Sequence, residues 1–173
     1  MHDVICTRTF RDVDLDTFNT IPPDAAAAAV RPCADVPTWV DEIVAGRPYD
    51  DLGSLLTFAD AAAASWGVVE IDAALAHHPR IGERSTAGGV EAAMSGSEQA
   101  GISGDEAAIA AGNRAYEETF GRIFLIRAAG RSSAEVLEQL TARLDHDPDT
   151  ETAVVAGELR EIALLRLEGM LTA

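Results

Sequence analysis

A histidine beside a proline is the first candidate for chemistry in this chain of 173 residues. His78 directly precedes Pro79, and a proline disfavours the helical conformation in the residue before it. We therefore expect His78 where the preceding helix ends, and there the negative end of the helix dipole favours the charged imidazolium. This placement suits a residue that donates or accepts a proton. The alternative is a surface histidine that caps a helix end.

A short segment rich in glycine and serine carries the second group of candidates, which are Ser95, Gly96, Ser97, Glu98 and Gln99. Glu98 and Gln99 lie between glycines and have few polar neighbours in the chain. They could present a carboxylate and a carboxamide at the edge of a pocket, with Ser95 close by if this turn is helical. The alternative is a solvated pair on the surface.

The third candidate is an arginine in the apolar face of the last predicted helix. Val155, Leu159 and Ile162 precede Arg166 at helical spacing, so that all four residues share one face. An arginine inside an apolar face needs a partner for its charge. That partner is either a carboxylate of the protein, in an internal ion pair, or the carboxylate of a substrate, which the planar guanidinium fits well.

The chain lacks the residue spacings that typically hold metals or cofactors. It has no His-Glu-x-x-His pattern and no glycine-rich phosphate loop, and His77 and His78 are adjacent, so they would point apart on a helix. Cys6 and Cys33 are too few for a metal site or a disulfide framework. We therefore predict neither a bound metal nor an organic cofactor.

Capping patterns and apolar periodicity predict helices along most of the chain. Residues typical of helix starts occur at Asp51, Ser103 and Ser132, the last two in capping boxes. The one run typical of a strand, residues 123–126, has no second strand to pair with, so we expect a buried extended segment between helices. The predicted fold is all-α, a single-domain bundle of about eight helices over residues 14–173, after a leader over residues 1–13.

Composition and charge restrict the partners and the location. The net charge of −16 argues against nucleic acid, because phosphate binding needs a basic face. No apolar run is long enough to span a membrane, and the first residues lack the pattern of a signal peptide. With reduced cysteines as the simplest interpretation, we expect a cytoplasmic protein whose ligand is a small molecule.

Taken together, these segments resemble the OHCU decarboxylase family, where OHCU is 2-oxo-4-hydroxy-4-carboxy-5-ureidoimidazoline. The similarity runs from about Leu15 to Leu171, and its order and spacing are more specific than any one motif. The motifs are Phe18-Asn19, Cys33, Trp39, Arg47-Pro48-Tyr49, Leu55-Leu56, His78-Pro79-Arg80-Ile81-Gly82, Ser95, Glu98-Gln99-Ala100-Gly101, Asn113, Tyr116, Phe120-Gly121, Phe124 and Leu165-Arg166-Leu167. The departures are His77 in place of a small residue, Arg122-Ile123 in place of an aromatic–proline step, and Arg127 at an often small or apolar position.

The resemblance implies an all-helical and commonly dimeric enzyme that acts after urate oxidase and hydroxyisourate hydrolase. It implies that His78 and Glu98 match the catalytic pair of the family. The residues that it implies around the ligand are Pro79, Ser95, Gly96, Ser97, Gln99, Phe124, Leu125, Ile126, Arg127, Ala128 and Arg166. The expected partners are therefore a ureidoimidazoline substrate and a second copy of the chain, with no nucleic acid and no membrane.

The implied substrate carries a carboxylate and a hydroxyl on one carbon, beside a C=N bond. Electrons released by the loss of CO2 can flow into this imine, so that neither pyridoxal phosphate nor thiamine is required. The protein must hold the carboxylate and deliver a proton to one face of the resulting enol, which gives (S)-allantoin in the family. Two alternatives remain, a noncatalytic helical binding module and a family member that acts on a related ureido acid.

Overall fold

The computed structural model of the chain describes residues 13–76, 78–83 and 89–172. These residues contain no strand and nine helices, which are α1 (Leu15–Thr20), α2 (Pro23–Val30), α3 (Pro37–Ala45), α4 (Leu52–Ala63), α5 (Val68–Leu75), α6 (Val90–Glu98), α7 (Glu106–Phe120), α8 (Ser133–Arg143) and α9 (Pro148–Thr172). The predicted all-α fold is confirmed. The predicted leader lies outside the described residues except for Val13, so its boundary stays a prediction.

Two helix starts have the side-chain caps that the sequence predicts. At the start of α4, Asp51 accepts a hydrogen bond from the Ser54 backbone N–H at 2.7 Å, and the Asp51 N–H donates to Ser54 Oγ at 3.2 Å. Ser132 and Glu135 form the same reciprocal arrangement at the start of α8. Such caps satisfy N–H groups that have no partner in the first turn of a helix.

The other predicted capping box, at Ser103, is wrong. α7 is preceded by Asp105 as its N-cap residue, whose φ is 57° and whose side chain makes no capping bond. Gly104 also has a positive φ of 82°, so the chain turns between Ser103 and the helix. Glu106 instead accepts a hydrogen bond from the Gly104 N–H at 2.9 Å, and the Ser103 carbonyl accepts one from the Ser133 hydroxyl.

The long last helix, α9, lies at the centre of the packing. Helices α4 and α5 pack against it, α3 packs against α4, and α2 packs against α3. Apolar side chains of these five helices and Phe18 of α1 form the larger core, and an ion pair between Arg160 and Asp60 ties α9 to α4. Polar groups on the inner face of α9 are therefore enclosed by neighbouring helices.

A second, smaller core forms where α7 packs against α8. Gly112 permits the close approach of the two helices, since a Cβ at this position would lie 2.6 Å from Leu140 Cδ2. Residues 123–128 form neither helix nor strand, in agreement with the predicted extended segment. This segment contributes Leu125 to the larger core and Ile126 to the smaller one, so it lies between the two.

No single helix among the described residues is long and apolar enough to cross a membrane. Helices α4 and α5 satisfy the length and composition criteria only when taken together, and they meet at a bend of 112°.

Candidate active site

The end of α5 presents His78 where the sequence predicts it. α5 ends at Leu75, and the His78 backbone N–H donates to the Leu75 carbonyl at 3.0 Å, which closes one last turn. Pro79 lies outside the helix. This fits the rule that a proline disfavours the helical conformation in the residue before it, here His78. His78 is half-buried. It is thus held by the protein while part of it stays open to a ligand.

Two buried or half-buried amides fix the loop that follows His78. Asn113 of α7 donates from Nδ2 to the Ile81 carbonyl at 3.0 Å, so its role is structural. Gln99, at the end of α6, accepts a hydrogen bond from the Gly82 N–H at 2.9 Å. Gly82 has a φ of 82°, a conformation that side chains rarely adopt. These bonds join the histidine loop to α6 and α7.

An ion pair at the surface adds a third attachment of this loop. The Arg80 guanidinium holds the Glu117 carboxylate of α7 through two nitrogens, with 2.9 Å between Nη2 and Oε2. The same contact lowers the pKa of Glu117 below its ordinary value. Because both side chains are partly solvated, this ion pair contributes little to the stability of the fold. Its main effect is to attach the loop to α7.

Helix α6 brings part of the second predicted group to one face. Ser95 is buried and Glu98 and Gln99 are half-buried, whereas Gly96 and Ser97 are exposed. The period of a helix explains the division, because positions three and four apart share a face and the two between them do not. Gly96 and Ser97 therefore point away from the face that carries the other predicted residues.

Arg166 is paired with Glu98, the predicted catalytic carboxylate. Its Nε and Nη2 donate to the two carboxylate oxygens of Glu98 at 2.6 and 2.8 Å. Nη2 also reaches Ser95 Oγ at 3.1 Å, and Nη1 reaches the Pro32 carbonyl at 3.4 Å. The Arg166 side chain is only 4% exposed. Of the two partners predicted for this arginine, the structure has the internal carboxylate, in a two-pronged pair.

Cys33 lies in the larger core and is electrostatically coupled to this ion pair. Its burial raises the pKa of the thiol to about 12, although the Arg166 cation acts in the opposite direction. At neutral pH the group is therefore a neutral thiol, which is a weak nucleophile. Cys33 is thus a packing residue of the larger core.

One narrow cleft, with a free volume of about 20 Å³, gathers most of the predicted site. Its lining residues are His78, Pro79, Ile81, Ser95, Glu98, Gln99, Phe124, Leu125, Ile126, Ala128 and Ile162. The polar members come from α6 and the turn after α5, and the apolar members come mainly from residues 124–128. Groups able to transfer a proton thus face an apolar wall across this cleft.

The remaining predicted residues, Gly96, Ser97, Arg127 and Arg166, do not line this cleft. Arg166 is linked to it through Glu98. Arg127 is directed toward α9, where its Nε donates to Glu161 at 2.9 Å and its backbone N–H donates to Glu158 at 2.7 Å. The Arg127 side chain therefore lies outside the cleft, and its backbone N–H is attached to α9.

Two lining residues are absent from the predicted set, namely Ile81 and Ile162. Ile162 precedes Arg166 by one turn on the same apolar face, so the spacing on α9 could have indicated it. Ile81 belongs to the segment that begins with His78. Among the described residues, no group of three or more His, Cys, Asp or Glu side chains could hold a metal ion.

Comparisons with known proteins bear on the family and the fold. A family model described as OHCU decarboxylase matches residues 19–168. No curated protein sequence matches the chain.

Two solved structures are similar to the chain. The first is a crystal structure of OHCU decarboxylase in the presence of (S)-allantoin, with a TM-score of 0.70 and 23% identity over 83% of this chain and 96% of that one. The second is a crystal structure of (S)-allantoin synthase, with a TM-score of 0.67 and 17% identity over 92% of this chain and 54% of that one. At these identities the two structures show a shared fold.

Proposed function

The chain belongs to the OHCU decarboxylase family and is a carboxy-lyase of urate degradation, and on this premise we propose how its cleft acts. The family resemblance inferred from the sequence is thereby confirmed. In the proposal, the cleft converts 2-oxo-4-hydroxy-4-carboxy-5-ureidoimidazoline to (S)-allantoin and CO2 without a cofactor. His78 and Glu98 form the catalytic pair.

The substrate itself supplies the path for the electrons. The bond between the ring carbon and the carboxylate breaks, CO2 leaves, and the electron pair forms a C=C bond to the adjacent imine carbon, while the C=N π pair moves to the nitrogen, which takes a proton. The hydroxyl on the same carbon then becomes a carbonyl as it loses its proton, and the second ring carbon gains a proton. Two proton deliveries and one removal are all that the protein must arrange.

His78 is the proposed proton-transfer group. It is half-buried in the cleft and its backbone is fixed by the turn after α5, so its ring is presented to a ligand at a constant place. An imidazole can donate or accept a proton near neutral pH. Delivery of the proton from one side of a cleft whose other side is apolar would give a single enantiomer.

Glu98 is proposed to orient the ring or ureido nitrogens of the substrate. Its two oxygens accept hydrogen bonds from Arg166, and a carboxylate held in this way keeps one orientation. Arg166 therefore acts on the reaction through Glu98. In the alternative, the arginine exchanges Glu98 for the substrate carboxylate.

The other proposed contacts follow from the lining of the cleft. Pro79, Phe124, Leu125, Ile126 and Ala128 would exclude water from the reacting carbon and favour neutral CO2 as a product. Ser95 and Gln99 would complete the polar side.

We further propose a cytoplasmic homodimer that binds neither nucleic acid nor membranes. The net charge of −16 supports the first exclusion, and the dimer is supported by the family resemblance alone. Light scattering after size-exclusion chromatography would measure the mass in solution. A monomer at all concentrations would contradict this part of the proposal.

The observation that carries the proposed function is the meeting of His78 and Glu98 in one cleft. The test is circular dichroism of a mixture of urate, urate oxidase and hydroxyisourate hydrolase, with and without the protein. We expect faster formation of optically active allantoin with it. Unchanged kinetics would contradict the proposed substrate and favour a related ureido acid or a noncatalytic role.

The same assay tests the absence of a metal requirement. The motivation is the lack of metal-binding spacings in the sequence and the electron sink in the substrate. We expect full activity after exhaustive treatment with a chelator. Loss of activity that an added metal ion restores would contradict the cofactor-free reaction.

A further inference from the structure

The wall of the cleft at residues 125–127 has no regular secondary structure to hold it. Residues 123–128 form neither helix nor strand, so their backbone groups are not paired in a ladder of hydrogen bonds. Buried backbone N–H and C=O groups nevertheless need partners. Charged side chains of α8 and α9 provide two of these partners.

The first of these side chains is Arg143, at the end of α8. Its Nη1 donates to the Leu125 carbonyl at 2.8 Å, and its side chain is 3% exposed. Arg143 is itself fixed, because Nε and Nη2 donate to Glu151 Oε1 at 2.9 and 2.5 Å. The guanidinium also lies over the Phe124 ring, 4.6 Å from its centroid. A rigid cation thus holds one carbonyl of the wall.

The second side chain is Glu158 of α9. Its carboxylate accepts a hydrogen bond from the Arg127 backbone N–H at 2.7 Å. The two attached groups, the Leu125 carbonyl and the Arg127 N–H, lie on either side of Ile126. Ile126 is buried and lines the cleft. Arg143 and Glu158 do not line it. The backbone on either side of Ile126 is therefore attached to α8 and α9 through two side chains that lie outside the cleft.

We propose that Arg143 and Glu158 are positioning residues that set the cleft wall at residues 125–127 and thereby the fit of the substrate. This inference rests on the proposed function and extends it to residues outside the cleft. The wall is apolar and transfers no proton, so its displacement should weaken substrate binding more than the chemical step. The expected signature is a rise in KM that exceeds the fall in kcat.

The test compares Glu158→Leu with Glu158→Gln in the allantoin-forming assay. The glutamine keeps a carbonyl oxygen that can accept the Arg127 N–H, whereas leucine cannot, and both residues are good helix formers. We expect Glu158→Leu to raise KM about tenfold, as the loss of one charge-assisted hydrogen bond would, and Glu158→Gln to stay within about twofold of the wild type.

Glu161→Leu is the matched control. Glu161 lies on the same helix and also contacts Arg127, but it bonds the side-chain Nε at 2.9 Å and its own side chain is 61% exposed. The control removes a carboxylate from the same neighbourhood and leaves the backbone attachment intact. We expect its KM to equal that of the wild type.

Arg143→Lys tests the other attachment. A lysine keeps a cation beside Glu151 but cannot also present a fork to the Leu125 carbonyl. We expect KM to rise by a similar factor. If KM of Arg143→Lys stays at the wild-type value, Arg143 does not position the wall.

Hydrogen exchange of the Arg127 amide gives a readout that does not depend on the reaction. We expect faster exchange in Glu158→Leu than in the wild type, Glu158→Gln or Glu161→Leu. Equal KM values in Glu158→Leu and the wild type would overturn the inference, and so would an equal rise in the Glu161→Leu control. A wild-type protein that forms no allantoin would overturn the proposed function instead, and the exchange rates would still decide whether Glu158 holds the wall.

Discussion

At the scale of single residues, His78 and Glu98 carry the first prediction. We expect His78→Ala and Glu98→Gln each to lower kcat about 100-fold or more, the range usual for positioned proton-transfer groups. Helical circular dichroism should be unchanged, because both residues line a cleft instead of filling a core. Glutamine is chosen at position 98 because alanine would leave the Arg166 guanidinium without its principal partner.

His77→Ala is the matched control for this prediction. His77 lies outside the residues that the structure describes, and the sequence marks it as a departure from the family pattern at that position. We expect a mild effect on turnover. If His77→Ala lowered kcat as much as His78→Ala, the assignment within the histidine pair would be wrong.

Arg166 carries the second prediction, which a double-mutant cycle tests. If Arg166 acts through Glu98, then Arg166→Met and Glu98→Gln damage the same interaction, and the double variant should be little worse than the more damaging single variant. If Arg166 instead binds the substrate carboxylate, the two losses in kcat/KM should add. We expect the double variant to be little worse than the more damaging single variant, because Nε and Nη2 of Arg166 both donate to Glu98.

Stability measurements on Arg166 separate structure from catalysis. Arg166→Met should lower the free energy of unfolding by about 1–3 kcal/mol, since it leaves the partly buried Glu98 carboxylate without two hydrogen bonds. Arg166→Lys should restore only part of the activity, because an ammonium cannot make the two-pronged contact. Full activity in Arg166→Lys would contradict the need for that geometry.

At the scale of elements, the start of α4 carries the third prediction. Asp51→Ala removes the capping bond to the Ser54 N–H, and we expect a loss of about 1 kcal/mol in the free energy of unfolding. Chemical denaturation measures it. Asp50→Ala is the control: Asp50 is exposed and precedes the cap residue, so its loss should change stability by less than about 0.5 kcal/mol. Equal effects of the two substitutions would point to net charge instead of capping.

The elements also show where local patterns stop being informative. The caps at Asp51 and Ser132 depend on residues three positions apart and were predictable. The box expected at Ser103 fails because Gly104 and Asp105 both adopt positive φ, which moves the helix start away from the serine. A capping pattern requires the residue after the cap to be helical, and the pattern alone does not guarantee that.

At the scale of the whole molecule, a buried ionic cluster joins α7, α8 and α9 and carries the fourth prediction. Glu151 is 1% exposed and accepts hydrogen bonds from Arg143 and the Tyr116 hydroxyl, with His146 Nδ1 at 2.8 Å from Oε2. Burial alone would raise the pKa of the Glu151 carboxyl, but the bonds from Arg143 and Tyr116 lower it below its ordinary value of 4.5. Burial and the bond to Glu151 raise the pKa of Tyr116, which stays neutral.

The sign of the pH dependence follows from this lowered pKa. A carboxyl whose pKa is lower in the folded state stabilises the fold above its unfolded pKa, and this stabilisation is lost as the pH falls through the folded pKa. We expect Glu151→Gln to cost about 3–5 kcal/mol at neutral pH, because it leaves Arg143 buried without its counter-charge.

The measurement is urea unfolding of the wild type and Glu151→Gln from about pH 5.5 to about pH 3.5. The wild type should lose more stability over this interval than the variant does, so that the difference between them shrinks on acidification. Other carboxyls with lowered pKa values, such as Asp60 and Glu117, titrate in both proteins and cancel in the comparison. A difference that stayed constant with pH would contradict the lowered pKa of Glu151.

The sequence by itself determined the features that depend on neighbours along the chain. Helix periodicity and capping residues gave the all-α fold, the order of His78 and Pro79 gave a histidine at a helix end, and the apolar stripe of α9 gave a buried Arg166. The family motifs supplied the reaction, because their order along the chain is itself a sequence property. These inferences need only the geometry of one helix or the restriction that a proline imposes.

Only the tertiary structure decided which of these residues meet. That Arg166 pairs with Glu98, that Gly96 and Ser97 lie outside the cleft, and that Arg127 is directed toward α9 depend on how α6, α9 and the irregular segment pack. The supports of the wall at Arg143 and Glu158 were beyond prediction for the same reason. Contacts between distant parts of a chain follow from the filling of a common core, and many sequence patterns are compatible with each such contact.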